Sequence, residues 1–201
     1  MEKLSREDEE RIAAAIRQKY AQVAVSPAGC FKYPTGRAGL EALHYPAPFL
    51  RELPEQVAGS FCGVGNPFSL GRISSGDTVL DLGCGAGVDA ILAATLTGPE
   101  GRVIGIDLVP EMLARARENA RLMGLGNLLF LAATASRLPV PENLFDVVIS
   151  NGAFNLVVDK VTALAEVFRV LKPGSWFWVA DQVLTGEPPP GPKARVANWA
   201  R

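Results

Sequence analysis

Residues 79–87, Val-Leu-Asp-Leu-Gly-Cys-Gly-Ala-Gly, constrain this chain more than any other stretch. An apolar run reaches Asp81 and gives way to Gly83, Cys84, Gly85 and Gly87, after which an apolar helical pattern begins. Glycines at these places let backbone N–H groups approach a ligand closely, and the helix that follows turns its positive end toward it. Strand, glycine loop and helix in that order open an α/β sheet and form a cradle for a nucleotide cofactor.

The rest of the C-terminal two-thirds repeats that rhythm. Strands are predicted over 78–82, 102–106, 128–132, 145–150 and 175–184. Helices are predicted over 88–97, from Pro110 to Met123 where Gly124 stops it, and over 159–171 where Lys172-Pro173-Gly174 stops it. Alternation of this kind builds βαβ units, so the expected fold is a doubly wound, Rossmann-like parallel sheet. Trp176, Phe177, Trp178 and Val179 make the fifth strand apolar on both faces, which reads as a buried core strand without chemistry.

The first 75 residues differ in character. Ser5 and Asp8 form a capping box, and Ile12, Ile16, Tyr20 and Val23 recur at helical spacing, giving an amphipathic helix to about Ala24. Residues 30–75 carry many Pro and Gly and read as an irregular arm, a lid or binding element over the cofactor. Three parts are therefore expected: a helix and arm over 1–75, a cofactor-binding domain over 76–185, and a Pro/Gly-rich tail over 186–201. At 201 residues, with 20 basic against 21 acidic side chains, the chain shows no basic stripe for nucleic acid. No apolar run approaches the ~18 residues of a membrane span, and the charged N-terminus has no signal-peptide core. Cys30, Cys62 and Cys84 are scattered and odd in number, against a disulfide framework. A cytoplasmic protein with no metal site is the expectation.

The glycines fall as G-x-G-x-G, with Val88 where a dinucleotide fingerprint carries its third glycine, which disfavours a dehydrogenase. Asp107 ends the second strand, placed to accept from two ribose hydroxyls, and Leu108 and Met112 follow it, suited to an adenine face. With Arg137-Leu138-Pro139, the stretch 145–151 and Glu166 to Gly174, this set resembles the class I S-adenosylmethionine-dependent methyltransferases over roughly residues 60–185. The resemblance implies S-adenosylmethionine as cofactor, with Asp81 positioning its amino-acid end, the loop residues Gly83, Cys84, Gly85 and Gly87 against it, Asp107 on the ribose, and Thr134 and Ala135 by the adenine. Threonine stands where such enzymes usually have an acidic residue, and still accepts a hydrogen bond.

Within that class the chain is most similar to the arsenite methyltransferases, through 63–67 (Gly-Val-Gly-Asn-Pro), Gly105 to Leu113, and Ile149 to Leu156 with Asp159-Lys160. Those enzymes hold trivalent arsenic on thiolates, as a soft element requires. Here Val64 and Gly152 stand where the family has cysteine, leaving Cys62 and Cys30 as the thiols of that region. The resemblance implies methyl transfer to a small molecule, without three-thiolate arsenic binding. Asn151, at the carboxyl end of the fourth strand, and Tyr45, as an aromatic cap over the sulfonium, are the candidate catalytic residues. His44 is the single histidine, read as incidental. Methyltransferases of this class normally have two further strands, which the residues after 184 do not supply. Either the chain is truncated, or the N-terminal segment or a second subunit covers the edge, which admits a homodimer. The alternative function is a degenerate, cofactor-binding regulatory protein without turnover.

Overall fold

The computed structural model describes residues 4–183, 185, 186 and 199. Its centre is a five-stranded, wholly parallel sheet of β1 (Thr78–Leu82), β2 (Arg102–Asp107), β3 (Leu128–Ala132), β4 (Phe145–Asn151) and β5 (Leu171–Ala180), in the order β3-β2-β1-β4-β5. The order reverses beside β1, so the carboxyl ends of β1 and β4 diverge into a crevice where α/β proteins bind ligands. Alternating side chains build two cores. Val79, Val103, Val147 and Ile149 face α5 (Val88–Thr97) and α6 (Pro110–Leu122). Leu80, Ile106, Phe145 and Val148 face α7 (Lys160–Val170).

The elements largely follow the periodicity, with two corrections in the C-terminal part. Lys172-Pro173-Gly174 does not separate helix from strand: α7 ends at Val170 and β5 starts at Leu171, the proline lying at the beginning of an outer strand where no ladder N–H is demanded of it. β5 is also not buried on both faces. Trp178 is 5% exposed but Trp176, two residues earlier on the same face, is 66% exposed, so the cover over this outer strand reaches Trp178 and not Trp176. The predicted strand end at Leu184 and most of the predicted tail lie outside the described residues.

α1 (Arg6–Val25) begins with the Ser5–Asp8 capping box and lies against α6. The segment read as an irregular arm contains short helices separated by loops: α2 (Gly36–Ala42), α3 (Ala47–Glu52), α4 (Glu55–Ala58) and a 3-10 turn at Pro67–Leu70. Prolines 46, 54 and 67 sit at helix starts, where the missing N–H costs nothing. Leu40, Phe49, Leu53, Val57 and Phe61 then form a core with Val88, Ile91 and Leu92 of α5.

One side chain carries most of the polar attachment of this segment to the sheet. Asn151, the last residue of β4, accepts at Oδ1 from the N–H groups of Val64 (2.9 Å) and Gly65 (3.1 Å). Its Nδ2 lies within donating distance of the Gly65 carbonyl (2.8 Å), Asp89 Oδ2 (2.9 Å) and Tyr45 Oη (3.1 Å). A second tie lies on the α7 side. Glu166 accepts from Leu138 N–H (2.7 Å) and pairs with Arg169, which donates to the carbonyls of Val140 and Leu138.

Two outcomes follow. Asn151→Ala leaves Asp89 Oδ2 without a donor and the N–H groups of Val64 and Gly65 without an acceptor, and its urea midpoint should fall by the equivalent of about 1–3 kcal/mol; an unchanged midpoint would mean that apolar contacts alone hold the segment. Arg169 beside Glu166 holds that carboxyl at about 2, below its ordinary 4.5. A depressed folded-state value contributes stability above the unfolded value and loses it as pH falls, here between about 4.5 and 2. Glu166→Gln should therefore lower stability by about 1.5–3 kcal/mol at pH 7, with the gap to the parent closing in melts taken below pH 4.5.

Candidate cofactor site and acceptor chamber

The carboxyl ends of β1, β2 and β4 open into a cavity of about 300 Å3, the low end of small-molecule sites. Its floor is the glycine loop. Gly83 and Cys84 donate their N–H groups to the Ile106 carbonyl (2.8 and 3.0 Å), which bends the chain sharply out of β1. Gly85 has φ +51°, and a Cβ there would meet nothing nearer than Met112 Sδ at 4.0 Å, so the loop keeps open space above it. Gly87 (φ +82°) is glycine for a different reason: a Cβ would run into Phe130 and Ala116, blocking the packing of loop on sheet. From beneath, Asn119 donates to Ala86 O and Ser60 Oγ, both at 2.9 Å, and holds the loop in place.

Three carboxylates surround this loop. Asp107 accepts from Gly85 N–H at Oδ2 and from Val109 N–H at Oδ1, both 2.8 Å. A carboxylate has about four lone-pair positions, so backbone bonding does not exhaust its capacity to accept. Asp89, in the first turn of α5, accepts from Tyr45 Oη (2.6 Å) and Asn151 Nδ2 (2.9 Å). Asp81 is 2% exposed, and its Oδ2 has no partner. Burial raises all three carboxyls above their ordinary range, with Asp89 and Asp107 adding to the effect at Asp81. A buried, unpaired carboxylate oxygen facing a cavity is costly unless a cation or a donor arrives.

The remaining walls are mostly apolar. Ile12, Ala13, Ile16 and Tyr20 come from α1; Phe154, Leu156, Val157 and Val158 follow β4. Cys62 lines the cavity as well, and burial with the negative charge of Asp107 and Asp89 pushes its thiol up to about 12. It is therefore a neutral thiol at physiological pH.

The structure gathers most of the sequence-predicted residues at this cavity: Asp81, Gly83, Cys84, Gly85, Asp107, Leu108, Thr134, Ala135 and Asn151 line it. Cys84 contributes backbone, its Sγ lying in the core close to Gly105. Gly87 acts one layer below, at the loop–sheet contact. Like Gly87, two further candidates lie outside the lining. Met112 is 1% exposed and packs with Val23, Ala86 and Val109, since its helix position faces α1. Tyr45 is 4% exposed, edge-on to Phe61 (5.2 Å) and bonded to Asp89, because a phenol in a core seeks a buried acceptor. Cys30 is also away from the lining, its Sγ 3.6 Å from the Ser26 carbonyl. Sequence reading missed Asp89 and the α1 face. The 3.6-residue period showed that α1 has an apolar stripe, yet a stripe does not say what it covers.

Comparison with known proteins agrees with this arrangement. A methyltransferase-domain family model matches residues 73–201. An arsenite methyltransferase from Halobacterium salinarum is 36% identical over 192 residues, 89% of this chain and 49% of that protein. A ubiquinone/menaquinone biosynthesis C-methyltransferase from Pasteurella multocida is 41% identical over 110 residues, covering 54% of this chain and 41% of the relative. The chain thus spans about half the length of the curated relatives it matches. Among solved structures, an arsenic(III) S-adenosylmethionine methyltransferase from Chlamydomonas reinhardtii superposes with a TM-score of 0.56 at 33% identity, over 74% of this chain and 50% of that one. A SAM-dependent methyltransferase from Aquifex aeolicus gives 0.54 at 26% identity, over 80% and 81%. With the domain model covering well over half of its residues, the chain belongs to the methyltransferase-domain family, as a class I S-adenosylmethionine-dependent methyltransferase close to the arsenite methyltransferases.

Proposed function

We propose that this chain binds S-adenosylmethionine and transfers its methyl group to a small molecule. The observation that carries the reading is the orphaned Oδ2 of Asp81 beside an open glycine loop and a half-satisfied Asp107. These residues fit the cofactor class: Asp81 offers a buried negative charge to a cationic amino-acid end, Asp107 retains lone pairs for a diol, and Gly85 leaves room over its backbone. Leu108 and Ala135 supply apolar contact for a base, with Thr134 beside them. When bound, S-adenosylmethionine supplies a methyl carbon already activated by an attached positive sulfur.

The chain's own contribution is orientation and exclusion of water. No imidazole lines the cavity among the described residues, and His44 lies in the turn after α2 with its carbonyl accepting from Asn66. An acceptor that already carries a free lone pair suits such a site. Asn151 is the positioning residue for the chamber wall, since both ends of its amide are spent on Val64, Gly65, Asp89 and Tyr45. The arsenite-methylating relatives bear on the acceptor only in part. A Cβ on Gly152 would lie 3.2 Å from Val64 Cγ1, so the two positions where that family has cysteine meet here, and neither carries a thiol. We therefore propose an acceptor other than arsenic bound on three thiolates.

Calorimetry with S-adenosylhomocysteine tests the reading. Asp107→Ala should weaken binding by about 1–3 kcal/mol, and unchanged affinity would remove the ribose assignment. Asp81→Asn should act with opposite signs on two measurements, raising the unfolding midpoint of the ligand-free protein while lowering cofactor affinity; a fall in both would show that Asp81 serves the fold alone. Binding of the cofactor without methyl transfer to any small molecule in a mass-spectrometric screen would point instead to a non-catalytic sensor.

A further inference from the structure

We infer that the part of the cavity beneath α1 takes an uncharged, apolar acceptor and turns anions away, and that the α1 face of Ile12, Ile16 and Tyr20 sets this choice. The inference deepens the methyl-transfer reading and rests on it for which end of the cavity the cofactor fills. Charge is the first support. The acidic and basic side chains lining the cavity are Glu9, Asp81, Asp89, Asp107 and Asp159, all carboxyl groups, and no lysine, arginine or histidine joins them among the described residues. An enzyme that accepts a carboxylate or a phosphate needs a cationic or multi-donor anchor, and a site with charges of one sign excludes the same sign.

Two basic groups on the same elements make contacts of their own, although the charge of Lys19 is felt at Cys62 in the lining. Lys160 donates to the carbonyls of Asn155 (3.0 Å) and Val157 (2.7 Å), stitching the loop after β4. Lys19 stands over the Phe31 ring, 5.0 Å from its centroid, and is not part of the lining. The second support is the wall itself. Ile12, Ile16 and Tyr20 descend from one side and Phe154, Val157 and Val158 close the other, so an acceptor there meets hydrocarbon and aromatic edges. Ile16 is half-buried and lines the cavity. The Tyr20 phenol, raised far above its ordinary value mainly by burial, stays neutral and adds no charge. Such a lining discriminates by desolvation: a neutral ring system loses little on entry, whereas an anion would be stripped of water opposite carboxylates.

A matched pair of fluorescent probes tests this directly, because N-phenyl-1-naphthylamine and 1-anilinonaphthalene-8-sulfonate differ by one sulfonate. Titrated into the full chain saturated with S-adenosylhomocysteine, the neutral probe should bind at least ~10-fold more tightly. Ile16→Asp should weaken the neutral probe by ~5-fold or more while leaving S-adenosylhomocysteine affinity unchanged. Ile16→Lys should narrow the gap by raising sulfonate affinity, and Val25→Lys, on the exposed end of the same helix, should alter neither probe. Val158→Asp on the opposite wall carries the same expectation as Ile16→Asp should that variant fail to fold. Equal affinity of the two probes in the parent, or a neutral-probe affinity indifferent to the Ile16 and Val158 substitutions, overturns the inference. If S-adenosylhomocysteine does not bind at all, the cofactor reading falls by itself, and the probe comparison run without it still decides the selectivity of the chamber.

Discussion

A single carboxamide ties the molecule together. Asn151 ends β4 where the sheet order reverses, and its two polar atoms reach the backbone of residues 64 and 65, the Asp89 carboxylate and the Tyr45 phenol. Without it the N–H groups of Val64 and Gly65 would lose their acceptor and Asp89 Oδ2 its donor, and polar groups left unpaired inside a protein are costly. A carboxamide both donates and accepts in one plane, so it can serve peptide N–H, peptide C=O and carboxylate together. The helical N-terminal segment thereby becomes a wall of the cavity at a fixed distance from the glycine loop.

The cavity that results is held open by polar imbalance at its floor. Asp81, Asp89 and Asp107 crowd around a loop whose backbone is already bonded to Ile106, and Asp81 keeps one oxygen without a partner. In a dry interior that arrangement destabilises the empty protein, and it makes the site complementary to a ligand bearing positive charge. Stability given up at the floor is offset in the layers around it, by the apolar core of α2–α4 on α5 and by the Glu166–Arg169 tie on the opposite face. The neutral thiol of Cys62 fits the same logic, since a thiolate there would be buried and within reach of the Asp107 and Asp89 carboxyl groups.

Reading residues in order succeeds where the signal is local. The Ser5–Asp8 box, the glycine loop, Pro110 at the start of α6 and Asp107 at the end of β2 all act within a few residues of themselves, and each appears where its type and spacing imply. It fails where a partner decides. Trp176 and Trp178 look alike in the chain and share one face of β5, but only Trp178 lies within the packed core, while Trp176 stands in the open toward the start of the outer strand. Tyr45 has the aromatic character suited to a sulfonium and instead donates to Asp89, forty-four positions away. Prolines at 46, 54 and 67 suggest broken chain, yet each begins a short helix that packing stabilises.

The sequence by itself determined the alternation of strands and helices, the loop of glycines after β1, and the acidic residue that ends β2, because backbone sterics and local hydrogen bonding write these within a window of a few residues. Tertiary structure alone decided that α1 turns Ile12, Ile16 and Tyr20 onto the cavity, that Asn151 is spent on holding the wall, and that the lining charges share one sign. Those facts depend on which distant surfaces meet, and contact between residues a hundred positions apart is settled by the packing of whole elements, to which no short pattern refers.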